Sequence, residues 1–173
     1  MGTTTLITGG ARSGKSSHAI ALAMKSVGAR RVFIATAEAL DDEMAARIDR
    51  HRAERPAGFA TIEEPLDICG VLNTLDDRAD LVILDCLTLW ISNLMSLNDD
   101  DASIPAAADR LATTVARAVP DIIVVTDEVG WGIVPVNPVA RRFRDLLGWT
   151  NQKIARVADA VILMVAGCPL KLK

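Results

Sequence analysis

The sequence predicts an α/β fold: a mostly parallel sheet flanked by helices, entered through a phosphate-binding loop and closed by a short C-terminal edge strand. Three observations predict it. Short aliphatic runs recur along the 173 residues, each followed by turn residues and a helix-like stretch. Unbroken apolar runs of this kind suit strands covered on both faces. The octapeptide Gly9–Ser16, GGARSGKS, fits the pattern G-x-x-x-x-G-K-[ST] and stands between the first such run and the first helical stretch. Half of the residues are apolar, yet there are only three Phe, three Trp and no Tyr. The core is therefore aliphatic, and the length suits one domain, 1–173.

The elements follow in order. Strands are expected at Thr3–Thr8, Arg31–Thr36, Leu81–Asp85, Asp121–Thr126 and Ala160–Val165, with a weaker one at Phe59–Glu63. The first helix follows the loop, at Ser17–Met24. The second runs from about Asp41 to Glu54, with acidic residues in its first turn and Pro56 beyond its end. Others are expected at Leu66–Leu75, Leu87–Met95, Ala106–Val119 and Val139–Ala158. Ser96–Pro105, with three consecutive aspartates, reads as a solvated loop. The ending GCPLKLK is expected to turn at Gly167–Pro169 and return as an edge strand.

Composition excludes several classes. The net charge of −3 argues against an obligatory nucleic-acid partner, which needs a basic surface. Cys69, Cys86 and Cys168 are far apart without C-x-x-C spacing, so they read as reduced, buried thiols. No signal-peptide pattern opens the chain, and Asp85 interrupts the longest apolar run, so no membrane span and a cytoplasmic location are expected.

The loop carries the clearest chemistry. Gly9, Gly10 and Gly14 let the backbone curl so that successive N–H groups face phosphate oxygens, across Ala11, Arg12 and Ser13. Lys15 supplies a charge for the β- and γ-phosphates, Ser16 a hydroxyl for Mg²⁺, and the following helix its positive end. A carboxylate at another strand end is then needed near the metal. Asp85, closing LVILD, is the first candidate; Asp127 and Glu128, just past IIVVT, are the second. Glu128 fits either a substrate site or a capping role. The string DEVG matches D-x-x-G of GTPase switches, but the chain lacks N-K-x-D.

Of the two histidines, His18 reads as an ordinary helix residue. His51 differs. At about 100° per residue, Met44, Ile48, His51 and Arg55 share a helix face, with Arg47 and Arg52 at its flanks. Buried unpaired guanidinium groups are costly, whereas arginine forks suit phosphate oxygens. A histidine beside a nucleotide phosphate can act as general acid–base or as nucleophile on phosphorus, and the residues alone leave both open.

These strings together resemble the bifunctional adenosylcobinamide kinase/adenosylcobinamide-phosphate guanylyltransferases of cobalamin biosynthesis. The resemblance rests on TGGARSGKS (Thr8–Ser16), IAT (Ile34–Thr36), DDEMAARI and HRAERP (Asp41–Pro56), EEP (Glu63–Pro65), LDCLTLWISNL (Leu84–Leu94) and TDEVGWGIVPVNPVARRFRDLLGWTNQ (Thr126–Gln152). It implies a RecA-like phosphate-loop fold, a homotrimer, and GTP, ATP and Mg²⁺ as ligands. It also implies that the loop holds the triphosphate and that Ile34, Ala35 and Thr36 contact nucleotide. By the same resemblance His51 takes up GMP, and Arg52, Ala53, Glu54, Arg55, Glu63 and Asp85 contact the guanine nucleotide. The small-molecule substrates implied are adenosylcobinamide and its phosphate.

Overall fold

A computed structural model of the chain describes residues 1–39, 42–53, 56–97 and 102–173. Its strands are β1 (Thr4–Gly9), β2 (Arg31–Ala35), β3 (Phe59–Glu63), β4 (Leu81–Asp85), β5 (Asp121–Val125), β6 (Ala160–Val165) and β7 (Cys168–Lys171). They form one sheet in the order β3-β2-β4-β5-β1-β6-β7, parallel throughout except for β7 against β6. The helices are α1 (Lys15–Lys25), α2 (Asp42–Ala53), α3 (Ile68–Thr74), α4 (Leu87–Leu97), α5 (Ser103–Arg117) and α6 (Pro138–Val157).

Strand side chains alternate between two cores, as the pleat requires. Leu6, Ile34, Leu84 and Val124 face α3 to α6, where Leu72, Trp90, Leu111 and Leu147 complete an aliphatic layer. Ile7, Phe33, Ile83 and Val125 face the other way, against Ala19 and Ala23 of α1. Alanines at the contact let α1 lie close to the sheet. Burying each large aliphatic side chain is worth roughly 1.5–3 kcal/mol, so both faces are needed to hold the parallel strands.

Several boundaries differ from expectation, each for a local reason. Helix α1 begins at Lys15 rather than Ser17, so Lys15 and Ser16 stand in its first turn. Helix α5 begins at Ser103, which shortens the polar loop and puts Pro105 in a first turn, where its missing N–H costs nothing. Asp67 caps α3 by accepting from Gly70 N at 3.0 Å, so that helix starts later than Leu66. The C-terminal hairpin turns at Ala166 and Gly167, with φ 50° and 83°. Two consecutive positive φ values suit a tight hairpin, and Pro169 sits within β7, tolerated because β7 is an edge. That placement leaves Cys168 exposed, not buried; Cys69 and Cys86 are partly buried, and all three are free.

Candidate functional site

The register of the parallel strands assembles the site. Glu63, Ala35, Asp85 and Val125 are successive partners across β3, β2, β4 and β5, at their carboxyl ends. The loop after β1 lies at the same edge, where open α/β sheets bind ligands. These residues wall a cleft of about 510 Å³, together with Ala11 to Ser16, Asp127, Ile20 and Phe33. Met44 and Ile48 of α2 form part of its opposite wall.

The loop's curl is made by Gly9, Arg12 and Gly14, at φ 149°, 56° and 94°. A Cβ on Gly9 would stand 2.4 Å from Met164 O, so β6 presses against the loop there. The hairpin turn braces it further: Gly167 N donates to Ser13 O at 3.0 Å. Gly10 departs from expectation, having ordinary φ and nothing within 4 Å of its Cβ position. Arg12, exposed and left-handed, supplies the curl instead.

Lys15 is 9% exposed, and its ammonium donates to Gly10 O at 2.7 Å and lies 2.6 Å from Asp127 Oδ1. Ser16 Oγ donates to Asp85 Oδ2 at 2.9 Å. Of the three carboxylates expected at strand ends, Asp85 and Asp127 are in the cleft, one against the hydroxyl and one against the ammonium. Glu128 lies aside: its Oε1 accepts from Thr8 Oγ1 at 3.3 Å and Asn151 Nδ2 at 3.4 Å, tying β1 to α6.

Ile34 and Thr36 are fully buried and do not line the cleft, although Ala35 between them does. Ile34 faces the core. Thr36 Oγ1 donates to Cys86 O at 2.7 Å and accepts from Cys86 N at 2.8 Å, locking the ends of β2 and β4 together. Of the expected nucleotide-contacting segment Ile34–Thr36, Ala35 lines the cleft, while the side chains of Ile34 and Thr36 serve the core and the clamp. Burial, and then the charge of neighbouring Asp85, push the Cys86 thiol pKa up to about 12, so it stays protonated.

Helix α2 carries the remaining candidates. Arg52 pairs with Glu63, and with Asp49 at 3.4 Å; hydrogen bonding to Glu63 raises the guanidinium pKa. Ala53 closes the helix and is exposed. Asp41, Glu54, Arg55 and the side chain of His51 lie outside the described residues. The sequence reading missed Phe33, Ile20 and Leu89 as cleft walls. It also missed the pairing of Asp127 with Lys15; strand-end position was legible, but not which charge each carboxylate would meet. His18 is an ordinary half-buried residue of α1.

A glycine-curled loop opening a helix, a first-turn Lys-Ser pair and strand-end carboxylates define a phosphate-loop nucleotide-binding protein. The solved RadB recombinase has the same fold, at TM-score 0.56 and 16% identity over 93% of this chain and 73% of that one. Residues 5–172 match the family described as cobinamide kinase / cobinamide phosphate guanyltransferase. The chain is 43% identical to the bifunctional adenosylcobalamin biosynthesis protein CobP of Pseudomonas aeruginosa, over 97% of this chain and 96% of that one. It is 41% identical to the corresponding protein CobU of Salmonella typhimurium, over 97% and 98%. The chain belongs to the cobinamide kinase / cobinamide phosphate guanyltransferase family, and is a bifunctional kinase and guanylyltransferase.

Proposed function

We propose that the chain, as one domain 1–173, phosphorylates adenosylcobinamide with ATP or GTP. It then transfers GMP from GTP to the phosphorylated product, using the loop Gly9–Ser16 for both steps. The observation carrying this reading is the Ser16–Asp85 contact of 2.9 Å beside Lys15, in a cleft walled on its other side by α2. A serine hydroxyl and a carboxylate are hard oxygen donors of the kind Mg²⁺ prefers, so Ser16 and Asp85 would hold the ion. When bound, the ion neutralises charge on the transferring phosphates.

In the kinase step the substrate hydroxyl attacks the γ-phosphorus. An O–P bond forms, the hydroxyl proton passes to solvent, the bond to the bridging oxygen breaks, and the nucleoside diphosphate leaves with the electron pair. Lys15 and the loop N–H groups stabilise the developing charge. In the second reaction an imidazole nitrogen of His51 attacks the α-phosphorus of GTP and pyrophosphate leaves. The phosphate oxygen of adenosylcobinamide phosphate then displaces the imidazole, giving adenosylcobinamide-GDP. His51 follows Ile48 by one turn on α2, and Ile48 lines the cleft, which supports this role. Arg52, Ala53, Glu54, Arg55 and Glu63 hold the guanine nucleotide; in support, Arg52 pairs with Glu63 at the cleft rim. The enzyme works as a cytoplasmic homotrimer; no helix among the described residues is long and apolar enough to cross a membrane.

Turnover of adenosylcobinamide with ATP alone, then with GTP, should give the phosphate and then the GDP product. GTP labelled at the α-phosphate should leave acid-labile, alkali-stable label on the protein. Label that persists in His51→Ala sinks the covalent step, and no phosphorylated corrinoid under either condition sinks the kinase.

A further inference from the structure

Asp127 is built into the cleft with more support than a loop carboxylate needs. Its N–H donates to Thr88 Oγ1 of α4 at 2.9 Å, and its carbonyl accepts from Asn151 Nδ2 of α6 at 3.0 Å. Asn151 is itself fixed, accepting from Thr126 Oγ1 at 2.7 Å. Two helices thus present one carboxylate to one ammonium, Lys15, at 2.6 Å. Asp85, at the end of β4, receives the Ser16 hydroxyl. The second partner of Lys15, Gly10 O, belongs to the loop itself.

We propose that Asp127 is a built-in counter-ion that competes with the triphosphate for Lys15 and so sets how tightly nucleotide is held and how fast it leaves. This rests on the loop being the triphosphate site. An ammonium only 9% exposed needs a charged or polar partner, and Asp127 provides one. A triphosphate entering the loop brings oxygens for the same three donors of that ammonium. It must then either displace Asp127 or accept a carboxylate lodged beside its own negative charge. Both lower affinity. The consequence suits a protein that uses one loop for two successive reactions, because the first nucleoside diphosphate has to leave before GTP can enter.

The expected sign is unusual. Removing a carboxylate that only shapes the site weakens binding, whereas removing a competitor strengthens it. Calorimetric titration of the intact chain with the β,γ-methylene analogue of ATP and magnesium, and separately with inorganic tripolyphosphate, reads this directly. Asp127→Asn should bind both about tenfold tighter, a change equal to one ordinary charged hydrogen bond, with most of the gain in slower release. Asp127→Ser, also folded by its thermal midpoint, should shift binding in the same direction if the amide disturbs the cleft. In a Lys15→Ala background the gain should vanish, because the contested ammonium is gone. Unchanged or weaker binding in both Asp127 variants overturns the proposal, as does a gain that survives loss of Lys15. Failure of the wild-type chain to bind either probe would instead remove the triphosphate site on which the proposal stands.

Discussion

Gly9 and Gly10 are neighbours in the same loop, yet the backbone asks different things of them. Gly9 has φ 149° and would place a Cβ against Met164 O, whereas Gly10 has open space on its Cβ side. Gly9→Ala should therefore lower stability by about 1–3 kcal/mol. Gly10→Ala should stay within about 0.5 kcal/mol of wild type in denaturant while weakening triphosphate binding, since a methyl there blocks close phosphate approach. Equal stability losses would overturn this division. Cysteines and an aspartate give chemical readouts. Cys86, held protonated at about 12, should resist iodoacetamide at pH 8 in the native chain, while exposed Cys168 is alkylated first, as peptide mass mapping would record. Asp80 accepts from Arg30 Nε at 3.0 Å and from Arg30 N at 2.9 Å, which holds its carboxyl at about 2 against an ordinary 3.8. Because the folded pKa is depressed, the stabilisation is complete above the ordinary value and is lost as pH falls through about 2. The urea-midpoint gap between wild type and Asp80→Asn should accordingly be constant from neutral pH to near 4 and close below it. A gap that persists at the acid end would refute the pairing.

At the scale of elements, α6 shows how a helix start is written in side chains. Asn137 Oδ1 accepts from Val139 N at 2.8 Å and Ala140 N at 3.3 Å, with Pro138 at the first helical position. Asn137→Ala should cost about 1 kcal/mol, read in denaturant, and Asn137→Gly only a few tenths. Equal losses would place the effect elsewhere. Much of the element pattern was legible for similar reasons. Buried parallel strands announce themselves as unbroken Val, Ile and Leu runs, and Phe59–Glu63, Leu81–Asp85 and Ala160–Val165 match the structure to the residue. Helix starts were less legible, because Lys15 and Ser103 lack a side-chain cap of their own in front of them. In the site, the loop was readable from its spacing and Asp85 from its place at a strand end. The burial of Thr36 was not, since a threonine after a strand reads the same whether it faces a ligand or, as here, the backbone of Cys86. The link between Lys15 and Asp127 joins residues 112 positions apart, brought together by β1 lying beside β5 and by the hold of α4 and α6 on Asp127.

At the scale of the whole molecule, the segment between β5 and α6 stands out by its exposure. Trp131, Ile133, Val134 and Val136 are exposed in succession, Ile133 at 98% and Val136 at 93%, and Val139 and Trp149 of α6 add to them. Scattered apolar exposure is ordinary, but a continuous apolar stretch marks a contact surface. The end of the stretch is also held: Arg141 Nη1 donates to Pro135 O at 2.9 Å and to Val136 O at 2.6 Å, so α6 ties down the backbone there. A fixed apolar surface loses little conformational freedom on docking, which favours stable association. If copies of the chain meet here in the proposed homotrimer, light scattering should give three times the 18.5 kDa chain mass. Ile133→Asp combined with Val136→Asp should reduce it to a single chain, because two charges would be buried without partners. Triphosphate binding separates the outcomes: a monomer that still binds shows that the loop and its carboxylates are complete within one chain. A trimeric mass unaffected by the double substitution would place the interface on another face.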